Sequence, residues 1–222
     1  MLDGFLLQLF IAAFITIKLA LCAFFLGLPI GIFGALLQLS SNKIIRYFVS
    51  SLIFVIRGLP ELLVLFFIYF GMTALLSTVF KHYVDVNAFI AGVVALGLIF
   101  GAYASQVFYS AYLAIDPGQV EAGKAMSFNP WQLLVRIELP QAFRHAIPGL
   151  GNLWLSLIKD TAIVSLIGLP EMMSEAKIAA SSTHQPFIFY FLVAFIYLII
   201  TTFSQFIINY FTKRQSRYLP QS

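Results

Sequence analysis

Five apolar runs, each long enough to cross about 30 Å of hydrocarbon, dominate the chain and decide its fold class. They are residues 9–37, 47–76, 88–113, 147–169 and 186–210. A bilayer core offers backbone N–H and C=O groups no water, so each run must satisfy its own hydrogen bonds, as an α-helix does. The runs lack the alternating apolar-polar pattern of a membrane barrel. The expected architecture is therefore all-α: an integral, multi-pass membrane protein of about five transmembrane helices. Composition agrees, with 61% of the 222 residues apolar and 10% charged, against about 25% charged in an ordinary soluble domain. A soluble enzyme, a disordered chain and a nucleic-acid module are poor fits, and no nucleic-acid partner is expected. The first two runs exceed the length of one crossing, and Pro29 and Pro60 are the points where they can bend or break. Gly27–Gly31 and Gly97–Gly101 have the spacing that lets membrane helices approach closely.

The basic residues set the orientation. Lys43, Arg46, Lys124, Arg136, Arg144, Lys213, Arg214 and Arg217 flank the runs on one side, and only Lys81 and Lys177 on the other. The positive-inside rule then places the N-terminus outside and the C-terminus in the cytoplasm. The first residues, MLDGFLLQLF, have no basic region and carry Asp3, so a cleaved leader is not expected. Cys22 stands alone, and His82, His145 and His184 are far apart in sequence, so no metal site is expected. No HExxH, GxSxG or Ser/His arrangement marks an intramembrane enzyme.

The stretch 115–146 is too long for a simple connection and too polar to span. Asp116–Pro117–Gly118 signals a turn. A short helix is expected over 120–128, a break at Asn129–Pro130, and a second helix from Trp131 to Pro140 with Leu134, Ile137 and Val135 toward one face. Such a pair suits docking into a groove of a soluble partner, and equally a helix lying among lipid headgroups. Residues 118–124, GQVEAGK, match the first seven positions of a phosphate-binding loop. Ala125 stands where Ser or Thr would hold magnesium, and no strand precedes the segment, so nucleotide binding is not expected here.

The segment EAGKAMSFNPWQLLVRIELP, residues 121–140, resembles the EAA loop of ABC-importer permease subunits. Glu121 and Ala122 fall on the first two motif positions, and Ile137, Leu139 and Pro140 on the closing ones. Gly123 replaces the usual second Ala and Ser127 the usual Gly, both still small. RGLPELLVLFFIYFG (57–71), AYASQVF (102–108) and PGLGNLWLSLIKDTAIVSLIG (148–168) resemble the polar amino-acid permeases of that class, above all their arginine branch. The resemblance implies the type I importer permease fold, one permease domain over residues 1–222, and a bacterial inner-membrane location. It implies two cytoplasmic ATPase subunits gripping the loop at Glu121, Ala122, Gly123, Ser127, Ile137, Leu139 and Pro140. It also implies a second permease chain, identical or paralogous, and an external binding protein that delivers the amino acid. ATP is then bound by the partner ATPase, and the chain itself needs no cofactor.

Charges inside spans cost roughly 2.5–3.5 kcal/mol each at mid-bilayer and face cavities or partners. They are Lys18, Arg57, Glu61, Lys159 and Asp160. A desolvated guanidinium calls for carboxylate, so Asp160 and Glu61 are the candidates for a cationic side chain. Arg57 is the candidate for the substrate's α-carboxylate, or else an ion-pair partner of Glu61 four residues on along one helix face. Gln106, Asn152 and Thr161 are candidate hydrogen-bonding groups. Lys18 is expected to pack or to snorkel. The expected function is ATP-driven import of a polar, cationic amino acid, arginine first, by alternating access. The alternatives are histidine/lysine/ornithine or glutamine transport by the same family, or a self-contained secondary transporter or channel.

Overall fold

The computed structural model describes residues 2–216, and every regular element among them is helical. Arg217, counted above among the basic residues, lies outside the described residues. The elements are α1 (Leu2–Gln38), α2 (Lys43–Gly58), α3 (Glu61–Phe80), α4 (Ala88–Leu113), α5 (Pro117–Ala125), α6 (Pro130–Leu133), a π turn (Leu134–Glu138), α7 (Leu139–Asp160), a 3-10 segment (Thr161–Ile167), α8 (Met172–Thr183) and α9 (Pro186–Ser216). Five of the helical stretches are long and apolar enough to cross a membrane: Gly4–Gln38, Glu61–Phe80, Ala88–Leu113, Pro130–Ile167 and Pro186–Tyr210.

The core is the crossing of α1 and α4. A Cβ on Gly27 would stand 2.5 Å from the Gly97 carbonyl oxygen, and one on Gly31 would stand 2.6 Å from Ala104 Cβ. The backbones can meet this closely only because those positions lack side chains, which is how helices associate in lipid without a hydrophobic driving force. Leu19, Leu96, Phe100, Leu157, Ile158 and Val164 fill the space beside the crossing. Phe24 stacks its edge between Phe100 and Trp154, at 5.1 and 5.5 Å between ring centres. At one end, buried Gln38 donates to Ser105 Oγ at 2.8 Å. A second cluster joins the start of α1 to α8 and α9 through Leu9, Met172, Ala176, Phe189 and Val193. The outward surfaces of α1, α3 and α9 are studded with large apolar side chains, Phe14, Phe67, Phe191 and Phe203 among them. In water that would be an aggregation liability; in lipid it is the matching solvent.

Three boundaries differ from the sequence reading. The run at 47–76 is two helices: Leu59 is extended (φ −86°, ψ 143°), as the residue before a proline prefers, and α3 restarts at Glu61. Arg57 and Glu61 therefore do not share one helix face. By contrast α1 runs unbroken through Pro29, beside its close contact with α4 at Gly27 and Gly31. The helix expected to stop at Pro140 does not. From Pro130 to Asp160 the chain is one helical rod, with Pro140 in the first turn of α7 just after the widened π turn. The wider turn relieves the clash a proline ring makes with an α-helical carbonyl. The loop helix also begins earlier than expected, because Asp116 is an N-cap accepting from Gly118 N at 2.7 Å and Pro117 is the first helical residue rather than part of a turn.

Candidate functional site

Glu61 and Asp160 come from different helices and meet at one cavity. Glu61 opens α3, where the N-terminal end of the helix dipole favours a carboxylate. Asp160 closes α7, where the helix tightens into the 3-10 segment. The cavity holds about 250 Å³ and is lined also by Leu96, Phe100, Tyr103 and Ser156. Both carboxyl groups line this one cavity. Lys159 is exposed on the neighbouring face and Asp160 half-buried, as the roughly 100° step between consecutive helical residues requires. A cavity with two acidic groups on an apolar frame is chemically suited to a cation.

A second cavity of about 420 Å³ shares Tyr103 and Leu153 with the first. Arg57, Gln106, Ser110 and His145 line it. The Arg57 guanidinium lies over the Tyr103 ring, 5.2 Å from its centre, and Tyr103 donates to the Arg57 carbonyl at 3.4 Å. The structure thus brings Glu61 to Asp160 and Arg57 to Gln106, in adjoining cavities with a common aromatic wall. Asn152 is exposed on α7. Thr161 is fully buried and gives its proton to the Ile158 carbonyl at 2.6 Å. Lys18 stands over the Phe89 ring at 5.3 Å.

The segment 115–146 forms a compact module at the end of the bundle where α4 finishes. α5 ends in a Schellman arrangement: Phe128 N donates to Gly123 O at 3.1 Å and Ser127 N to Lys124 O at 2.9 Å. Ser127 takes the left-handed position at φ 61°. Asn129 and Gln132 form a reciprocal capping box that starts α6. Gly123 is the pivot, since a Cβ there would stand 2.5 Å from both Leu133 and Ile137. Leu133, one residue from the expected position, packs there with Ile137; Leu134 is half-buried and Val135 exposed. Glu121, Ala122, Ser127 and Pro140 are exposed, and Leu139 and Ile137 half-buried. Met126 and Trp131 are 71% and 69% exposed, which leaves a hydrophobic tip on the module. The residues 118–124 lie within α5, a helix and not the strand-loop-helix a phosphate cradle needs. Among the described residues no group of three or more His, Cys, Asp or Glu could hold a metal.

Sequence reasoning passed over Tyr103, Ser156, His145 and Glu171. Glu171 lies between the fourth and fifth spans, fully buried. It caps α8 through Ser174 N at 2.9 Å and accepts from Tyr197 at 3.3 Å and Thr16 at 3.5 Å. Burial pushes its carboxyl up to about 7, against the pull of those hydrogen bonds. The one signal in the sequence is a carboxylate two residues after Leu169 and just before a helical run, the position of an N-cap.

The family described as the binding-protein-dependent transport system inner membrane component matches residues 27–217. The arginine ABC transporter permease protein ArtQ of Haemophilus influenzae is 42% identical over 205 residues, 92% of each chain. The histidine/lysine/arginine/ornithine transport system permease protein HisQ of Escherichia coli is 34% identical, over 97% of this chain and 96% of its own. A solved amino acid ABC transporter, determined with histidines, superimposes with a TM-score of 0.85 at 32% identity, over 96% of each chain.

Proposed function

Because this chain belongs to the family of binding-protein-dependent transport system inner membrane components, as an ABC amino-acid permease subunit, we propose that it carries cationic amino acids, arginine foremost, across a bacterial inner membrane. The observation that carries the reading is the Glu61–Asp160 pair at one cavity. A guanidinium or ammonium leaving water needs charge-assisted acceptors, and this cavity supplies two. Arg57 and Gln106, behind the shared Tyr103 wall, suit the α-carboxylate. Asn152 and Thr161 line neither of the two cavities; Thr161 acts by holding the turn beneath Asp160. The relatives named for arginine and for histidine, lysine, arginine and ornithine transport support the same substrate class.

The chain acts as one permease domain, residues 1–222, with its N-terminus outside and its 115–146 module in the cytoplasm, as the basic residues direct. A separate ATPase grips the module at Glu121, Ala122, Gly123, Ser127, Ile137, Leu139 and Pro140, with the exposed Met126 and Trp131 as hydrophobic anchors. Because α6, the π turn and α7 form one rod, a displacement of the module passes directly to Asp160 at the far end of that rod. ATP is bound by the ATPase, a second permease chain completes the path, and an external binding protein delivers the substrate. The chain needs no cofactor of its own.

The test is uptake of a panel of labelled amino acids by the assembled transporter. Arginine, lysine and ornithine are expected to enter in preference to glutamine. Asp160→Asn is expected to cut arginine uptake by about tenfold or more, the equivalent of about 1.4 kcal/mol, with ATPase assembly retained. Unchanged arginine uptake in that variant removes Asp160 from the site.

A further inference from the structure

The buried cluster around Glu171 has no part in the cavity just described, yet it joins four elements. Glu171 Oε1 accepts from Ser174 N and so caps α8. Its Oε2 meets the Tyr197 hydroxyl of α9 at 3.3 Å and the Thr16 hydroxyl of α1 at 3.5 Å. The Thr16 oxygen in turn accepts from Met172 N at 3.3 Å. Tyr197 lies 3.5 Å from Thr161 Oγ1, and Thr161 is the residue after Asp160. Glu171, Thr16 and Thr161 are all shielded from solvent. A line of polar contacts therefore runs from the start of α8 to the corner where α7 tightens into the 3-10 segment.

The proton count along this line decides its geometry. Thr161 has one proton, and it goes to the Ile158 carbonyl at 2.6 Å. A bond between Thr161 and Tyr197 must then use the Tyr197 proton. That proton is free for Thr161 only when Glu171 is protonated and donates to Tyr197. An ionised Glu171 draws the phenol proton to itself, and the link to Thr161 lapses. Of the titratable groups, Tyr197 of α9 meets Glu171 directly. Lys18 of α1 is turned to the Phe89 ring at 5.3 Å, and Asp160 opens the 3-10 segment.

We propose that Glu171, Tyr197 and Thr161 form a proton-dependent joint that fixes the external helix α8 to the Asp160 corner of the substrate cavity. The joint rests on the permease reading for its role in transport, but its existence does not. Glu171 and Tyr197 are positioning residues: they hold the turn that presents Asp160. With its carboxyl raised to about 7 by burial, Glu171 binds a proton in the seated state that it loses near its ordinary value of about 4.3 when α8 lifts into water. The stabilisation this gives the seated helix is therefore complete below about 4.3, declines as pH rises, and is lost above about 7.

The experiment is hydrogen–deuterium exchange on the chain in lipid nanodiscs, at about pH 6 and about pH 8 and corrected for intrinsic rates. Between those values the protonated share of Glu171 falls from about nine-tenths to about one-tenth. In the wild-type chain, 161–167 and α8 are expected to lose protection together at the higher pH. Glu171→Gln, whose amide keeps the cap and always donates, is expected to hold wild-type acid protection at both values. Tyr197→Phe, which removes one oxygen, is expected to free 161–167 at both values, with α8 still capped at the lower one. A wild-type pH response retained in Glu171→Gln overturns the joint, as does full acid protection of 161–167 in Tyr197→Phe. A second arm measures arginine uptake by the assembled transporter at the same external pH values. The wild-type rate is expected to depend on pH and the Glu171→Gln rate not to. If the wild-type transporter moves no cationic amino acid, the substrate reading fails while the exchange data still decide the joint.

Discussion

Ser127 holds a left-handed backbone, φ 61°, at the end of α5, where an L-residue with a side chain is strained by roughly 1–2 kcal/mol. The family pattern places Gly here. Ser127→Gly is therefore expected to stabilise the chain by about 1 kcal/mol or less, seen as a higher Tm in detergent; a lower Tm would show that the Ser127 hydroxyl makes up the difference. Gly123 behaves in the opposite sense. A side chain there meets Leu133 and Ile137 at 2.5 Å, and overpacking of this kind costs typically 1–3 kcal/mol. Gly123→Val is expected to loosen the module and release the ATPase, with spans intact; pull-down of the ATPase checks it, and retention at wild-type level counts against the pivot. Both positions departed from the family pattern in the sequence. Only the structure explains the second, because the partners of Gly123 come from residues ten and fourteen positions later.

At the scale of elements, Pro60 and Pro29 teach different lessons from the same residue type. Pro60 ends one helix and lets α3 begin at Glu61, while Pro29 sits inside an uninterrupted α1. Pro60→Ala is expected to favour a continuous α2–α3 helix, turn Glu61 away from Asp160 and cut arginine uptake several-fold; full uptake would mean that the break does not depend on the proline. Hydropathy alone located the five crossings, because the bilayer demands the same length of apolar helix from each. It did not say which proline breaks a helix and which sits beside the α1–α4 contact at Gly27 and Gly31. Nor did it reveal that the loop helix and the fourth span are one rod, because the π turn before Pro140 leaves no periodic signature. Glu61 and Asp160 were legible as costly charges inside spans. Their meeting at one cavity was not, for it depends on how α3 and α7 cross α4. Glu171 was invisible to the same reasoning, because it lies between spans where a carboxylate costs nothing unless the fold buries it.

Across the whole molecule the exposed module and the acidic cavity sit at opposite ends of one continuous helical stretch, Pro130 to Asp160. The hydrophobic tip at Met126 and Trp131 stands at one end of the bundle. The rod from Pro130 to Asp160 leads from it to the acidic cavity, and the Glu171 cluster carries on to α8 beyond. A chain that moved its substrate alone would have no use for the exposed module. The most direct measurement is labelled-arginine uptake into proteoliposomes holding the chain with or without its ATPase, in the presence of the external binding protein and with ATP inside. Uptake is predicted only when ATPase and ATP are both present, and it should fall when the module is cross-linked at Glu121. Arginine entry at the same rate through the chain alone would contradict the account.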